Sequence, residues 1–262
     1  MTRELRPIAT YIAIVVVGIT AFAWPFWLPA PKASSGVSSA HSADAWIWAT
    51  ALGVLTVAAL VLEVRQHRMN GATIATLGVL ASMDGLLRLL DLPGGGNAMF
   101  FLVVLAGAAI GPRFGALLGL SSMAASAVIT AGIGPWLPYQ MLALAAVGAG
   151  AGAVGRAVRN RPQGFQLGAL AVFGWCSGFV FGAIMNLWFW PLVRDGGALS
   201  YAAGLGFAGT LHRYWSYYVA TSFAWDAALA TTNVVLIVVL GRPLLASLQR
   251  IAHRLDPSTV WA

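Results

Sequence analysis

The sequence predicts an all-α fold, a polytopic bundle of about eight transmembrane helices with both ends in the cytoplasm. Three observations predict it. Charged residues make up only 9% of the 262 residues and hydrophobic ones 59%, against roughly 25% charged in ordinary soluble domains. The apolar residues fall in successive runs near the roughly 20 residues that a bilayer crossing needs, parted by polar or Gly-Pro breaks. The basic residues gather on alternate connections. A soluble chain of this length would bury a large core, but it would still need a charged surface. The 30 glycines are spread through the apolar runs, as expected where helices approach closely in lipid. The single cysteine, Cys176, can form no internal disulfide and says nothing about redox compartment.

The first span is expected over about residues 8–28, behind Arg3 and Arg6. A signal peptide is the other reading of such a start. Length, and Trp24, Phe26 and Trp27 at the level of an interfacial aromatic belt, favour a retained helix. A Ser-rich loop over residues 32–44 precedes the second span, about 46–62. The polar turn 63–68 leads to the third, about 72–90, and the run 91–97 (DLPGGGN) breaks the chain. A fourth span over about 98–110 is short for a crossing and turns at Gly111-Pro112-Arg113 into a fifth, about 114–131. After the break 132–135 (GIGP) comes a sixth, about 136–155. The basic loop 156–161 leads to a seventh, about 165–190. A long outer segment, 191–213, precedes the eighth, about 214–240. Beyond Gly241-Arg242-Pro243 a tail sets Leu245, Leu248 and Ala252 against Arg250 and Arg254, an amphipathic pattern suited to a membrane surface.

Charge tests this map. With the N-terminus inside, Arg3, Arg6, Arg65, Arg68, Arg113, Arg156, Arg159, Arg161, Arg242, Arg250 and Arg254 share one side. The other side receives Lys32, Arg194 and Arg213, while Arg88 lies within a helix. Eleven against three is the positive-inside distribution. The net charge of +7 therefore reflects membrane orientation, and nucleic acid is not implied.

Polar residues inside the spans are the candidate site. Asp84 and Arg88 lie four apart on one face of the third span, either as a self-neutralising pair or as a charged lip open to the outside. Asp226 sits about midway along the eighth span with no basic residue near it in sequence. It must find a partner on another helix, bind a ligand, or stay protonated. Trp136, Tyr139, Trp188, Trp190, Tyr201, Tyr214, Trp215, Tyr217 and Tyr218 fall near outer helix ends. An interfacial belt accounts for part of this set. Its one-sidedness points to an outward aromatic pocket for a flat organic ligand, with Gln140 and Asn186 one turn deeper as hydrogen-bonding groups. No Walker A sequence, HExxH or Cys-x-x-Cys is present, so neither ATP hydrolysis nor a metalloenzyme site is supported and no cofactor is implied. His41, His67, His212 and His253 all fall in loops or tails. No inverted repeat suggests a secondary transporter.

Three stretches carry a family resemblance: residues 77–88 (LGVLASMDGLLR), 101–119 (FLVVLAGAAIGPRFGALLG) and 134–141 (GPWLPYQM). From about Gly71 onward the chain resembles the substrate-binding S component of energy-coupling factor (ECF) vitamin transporters, actinobacterial type. The resemblance implies a six-helix core over residues 71–245. Residues 1–70 would then be two added N-terminal spans, and 246–262 a cytoplasmic tail. It implies a plasma-membrane protein, not an enzyme, that holds a vitamin or precursor in an outward pocket. Asp84, Arg88, Trp136, Gln140, Asn186, Trp188, Trp215, Tyr218 and Asp226 are the candidate contacts. The implied partners are a transmembrane coupling subunit carrying two ATPases. The family's Ala-x-x-x-Ala docking pattern is replaced by looser small-residue spacing, with Ala72, Ala75, Gly78 and Ser82 as the candidate docking face. The segment 134–141 is similar to S components for cobalamin, which makes a corrinoid the first candidate ligand. The rival from another class is a non-transporting membrane scaffold packed through its glycines. An intramembrane enzyme would have only Asp84, Asp226 and His212 to work with.

Overall fold

The structure, a computed structural model, describes residues 2–27, 45–65, 69–90, 92–93, 96–194 and 196–255. The Ser-rich loop with Lys32 and His41, the turn residues His67 and Arg68, Asp91, Gly94 and Gly95 of the 91–97 breaker and the tail from Asp256 lie outside the described residues. Among the described residues the chain is all-helical: α1 (Thr2–Trp27), α2 (Ala45–Arg65), α3 (Gly71–Leu87), α4 (Met99–Ile110), α5 (Pro112–Ile129), α6 (Leu137–Val158), α7 (Gln163–Phe189), α8 (Gly206–Thr221) and α9 (Phe223–Arg254). A 3-10 turn, Trp190–Leu192, extends α7.

α4 is the axis of the molecule. All twelve of its residues are buried, enclosed by α5, α6, α7 and α9. Its rise of about 18 Å is too short for a hydrocarbon core of about 30 Å, and a helix apolar on every side belongs inside a protein. Lipid is as apolar as leucine, so burying α4 gains little from the hydrophobic effect. Close packing must hold it. The glycines supply that closeness. A methyl built on Gly148 of α6 would overlap the Gly115 carbonyl of α5, and one on Gly155 would overlap the Ala108 carbonyl of α4. The α4–α5 turn runs through Gly111 at φ 132°, a conformation that a Cβ disfavours. Pro112 then starts α5 at a position where no intrahelical donor is lost.

Around this axis, α3 packs on α5, α7 on α9, and the α1–α2 hairpin sits outside, reaching α6. Among the described residues four helices are long and apolar enough to cross a membrane: α5, α6, α7 with its 3-10 extension, and α9. Their outward surface is apolar too, with Val172, Trp175, Val180, Val235, Val238 and Val239 exposed. The molecule is a membrane-embedded helical bundle.

Two expected boundaries are corrected. The eighth span does not run unbroken over 214–240, because the chain bends at Ser222 (φ −127°, ψ −27°) between α8 and α9. The Thr221 hydroxyl donates to the Tyr217 carbonyl (2.8 Å), a back-bond that bends helices, and the Ser222 hydroxyl turns away to α7. Nor does the chain break at Gly241-Arg242-Pro243, since α9 continues through Pro243 to Arg254. The tail's apolar stripe is real, but Leu245, Leu248 and Ala252 face the main core rather than a membrane surface.

Candidate functional site

The richest polar constellation lies where α7, α8 and α9 meet. Gly182 and Asn186 are one turn apart on α7, as Ser222 and Asp226 are at the start of α9, and the two pairs face each other. The Ser222 hydroxyl donates to Asn186 Oδ1 (2.9 Å). One turn along, the Asp226 carboxylate lies on the bare Cα of Gly182, in the space that a methyl would take. Asp226 is thus in the first turn of α9, not midway along a span. There the positive end of the helix dipole favours a carboxylate.

From α8, the Tyr214 hydroxyl donates to the Ala183 carbonyl. The Tyr218 hydroxyl stands beside Asp226 without an aligned hydrogen bond. Three groups here are buried and unsatisfied: Asn186 Nδ2, Tyr218 Oη and Asp226 Oδ2. Each such group costs about 1–3 kcal/mol when left unpaired. Together they offer a donor amide, a phenol and a carboxylate acceptor. Trp215 stacks on Tyr218 at 5.6 Å and is exposed on its outer side. Asn186, Trp215, Tyr218 and Asp226 are therefore brought together. Ser222 and Gly182 were not singled out in the sequence. Ser222 stands at the N-cap position with Asp226 in the first turn behind it, which is a helix-start signal.

Asp84 and Arg88 form a second centre, between α3 and α5, and they do not pair. The Arg88 guanidinium donates to Met123 Sδ (3.1 Å) and Ser126 Oγ (3.3 Å) on α5. Asp84 is fully buried. The Ser122 hydroxyl is close to it, yet neither makes an aligned hydrogen bond. Gly85 sets how near α5 comes, because a methyl there would stand 3.0 Å from the Ser126 nitrogen. Arg88 therefore finds its partners on the neighbouring helix, not one turn back on its own.

The aromatics expected at the outer helix ends pack on one another. Trp190 is 1% exposed, donates to the Leu199 carbonyl (2.9 Å) and is surrounded by Tyr201, Tyr214 and Tyr217. Trp136 and Trp188 belong to a separate cluster around Tyr139, itself edge-on to Phe22 of α1 at 4.9 Å. Gln140, in the first turn of α6, has a buried, unsatisfied Oε1. A cavity of about 520 Å³ lies elsewhere, between α1 and α5, α6 and α7, and its walls are wholly apolar. On α3, Ala72, Ala75, Gly78 and Ser82 are all exposed, with open space beyond Gly78.

No known family model, curated protein or solved structure matches this chain. Its function must be argued from the groups just described. Among the described residues no three of His, Cys, Asp and Glu gather as metal ligands. The α7–α8–α9 junction suits binding of a polar organic group: it presents an acceptor and two donors in an otherwise apolar setting.

Proposed function

We propose that the chain is the substrate-binding S component of an ECF-type importer, taking up a vitamin or vitamin precursor. Its core would be α3 to α9 with α1 and α2 added. In this reading the protein crosses the plasma membrane eight times, by α1 to α7 and α9, with the short α4 as a crossing enclosed within the bundle. Both termini are cytoplasmic and α8 lies at the outer interface. The observation that carries the proposal is the convergence of the unpaired Asn186 amide nitrogen with Tyr218 and Asp226 at one bend. In lipid, such groups are functional by default. A corrinoid is the first candidate, since its rim of amides complements a carboxylate, an amide and a phenol. The packed rings of α8 must then lift about Ser222 to admit it. The open face of α3 with Ala72, Ala75, Gly78 and Ser82 is where the transmembrane coupling subunit, with its two ATPases, would dock through close helix approach.

The test is mass spectrometry of small molecules that co-purify with the detergent-solubilised chain, then calorimetry on any hit. A vitamin bound one-to-one is the expected result. Asp226→Asn should weaken it tenfold or more, since hydrogen bonds to charged groups contribute about 1.5–3 kcal/mol, and Asn186→Ala should weaken it several-fold, as a neutral bond contributes about 0.5–1.5 kcal/mol. A ligand-free preparation that also ignores a vitamin panel would select the scaffold reading.

A further inference from the structure

The apolar cavity of about 520 Å³ belongs to neither polar centre. Four helices wall it: α1 over 14–26, α5 at Ala116 and Leu120, α6 over 142–149, and α7 at Ile184 and Leu187. Of these, α5, α6 and α7 are long and apolar enough to cross a membrane, so the cavity lies at the depth of the hydrocarbon. Small residues ordinarily let such a seam close, and here they do so only in part. Gly18 brings α1 onto Leu142, where an added methyl would stand 3.1 Å from the leucine Cδ1. One turn along α1, Phe22 sits edge-on to Tyr139. Beyond these contacts Ala146 and Ala149 of α6 and Ala116 of α5 face the cavity, and their side chains are too short to bridge what remains.

An empty space of this size is costly, since its walls forfeit the dispersion contacts of close packing. Every described residue that lines it is apolar. Water would find no hydrogen-bond partners there, and a polar ligand would leave its own polar groups unpaired. The fitting occupant is hydrocarbon, which in a membrane means lipid. Val15 and Ile19 line the cavity and are also exposed, so α1 does not seal it. Its length selects the kind of hydrocarbon. From position 14 to position 26 the α1 wall rises about 18 Å, close to the roughly 15 Å that one leaflet contributes to a hydrocarbon core about 30 Å thick. A cavity that long for its volume is a channel, which an extended chain fills and a compact ring system does not. We infer that it holds one acyl chain of a membrane phospholipid, seated between α1 and α6 as a fixed part of the bundle. This needs only the membrane-embedded fold and stands apart from whatever the α7–α8–α9 junction binds.

The experiment uses the full chain reconstituted in phosphatidylcholine vesicles, doped with a phosphatidylcholine that carries a photoactivatable diazirine near the end of one acyl chain. Peptide mass spectrometry maps the cross-links. Adducts are expected to concentrate on the cavity residues of α1, α6 and α7. Val235, Val238 and Val239, exposed on α9 away from the cavity, should carry fewer. Ala146→Phe and Ala149→Leu fill the channel from its α6 wall. Val238→Phe adds bulk to an exposed side chain that does not line it. Cavity adducts should fall roughly tenfold in each filled variant and change less than about twofold in Val238→Phe, because a close-packed interior has no room for both the new side chain and the lipid chain. Should one filled variant misfold, the other and the map on the parent chain still decide. Adducts no denser in the cavity than on the exposed residues of α9, or cavity adducts unchanged in the filled variants, would overturn the inference.

Discussion

Asp226 and Gly182 make one contact that the remaining side chains near the bend depend on. The carboxylate occupies the place of the missing methyl, so Gly182→Ala must push it toward Tyr218 or bend α9 away. Overpacking of this kind costs about 1–3 kcal/mol. The same substitution made in an Asp226→Ala background should cost little, because the atoms it strikes are gone. A double-mutant cycle of thermal unfolding reads the difference; additive effects would show that the two do not touch in solution. Asp226 stood out in the sequence because no basic residue lies near it. Its counterpart was illegible for a physical reason: the partner is an absent side chain on another helix. Asp84 and Arg88 show the converse. Their spacing of four is plain in the sequence and suggests a pair, yet Met123 and Ser126 of α5 take the guanidinium. A local spacing states what two side chains can reach, and the neighbouring helix decides what they do reach.

The seam between α4, α5 and α6 is where glycine substitutions should be least tolerated. At Gly148 the obstacle is the Gly115 backbone carbonyl, which has no rotamer to change, so an added methyl must separate two helices along their length. Gly148→Ala should sharply reduce the yield of folded protein and lower its unfolding temperature. Gly168→Ala is the matched contrast. Gly168 lies within α7 with nothing near its missing Cβ, so alanine's better helix propensity, up to about 1 kcal/mol, should leave stability equal or improved. Equal losses in both variants would contradict a seam held by close approach. The shortness of α4 was visible as an apolar run of 12 or so residues, and its place as the enclosed axis follows from that length. The bend at Ser222 was not visible, because the apolar run passes through it unbroken. Hydroxyl bonds from Thr221 and Ser222 make the bend, and hydropathy is blind to them.

Taken as one body, the bundle divides into a tightly packed part and an added one. Among the described residues the main core draws on α3 to α7 and α9 and includes none of α1 or α2. The arginine grouping read from sequence has a counterpart here. Gln163 donates to the Arg242 carbonyl (3.1 Å) and Gln249 to Gln166, so the α6–α7 connection and the end of α9 share one end of the molecule. The α1–α2 hairpin is attached differently. α1 meets the rest through ring contacts, Phe22 on Tyr139 at 4.9 Å and Phe26 on Tyr201 at 5.6 Å, through Ile14 and Val17 beside Leu142 and Ala21 beside Tyr139, and it borders the apolar cavity of about 520 Å³. Removing residues 2–68 should therefore leave α3 to α9 folded. The cavity walls uncovered are apolar and would meet lipid or detergent, so their exposure carries little cost in a membrane. What is lost includes the ring contacts of Phe22 and Phe26 with Tyr139, Tyr201 and Trp190, at about 0.5–1.5 kcal/mol each, and the packing of Ala21 beside Tyr139 and of Ile14 and Val17 beside Leu142. A chain of the remaining size should then unfold several degrees lower. Size-exclusion chromatography and thermal unfolding of the truncated chain in detergent would check this. A monodisperse product with a modestly lowered transition is expected, whereas aggregation or loss of a cooperative transition would mean that α1 completes the core and does not merely lie against it.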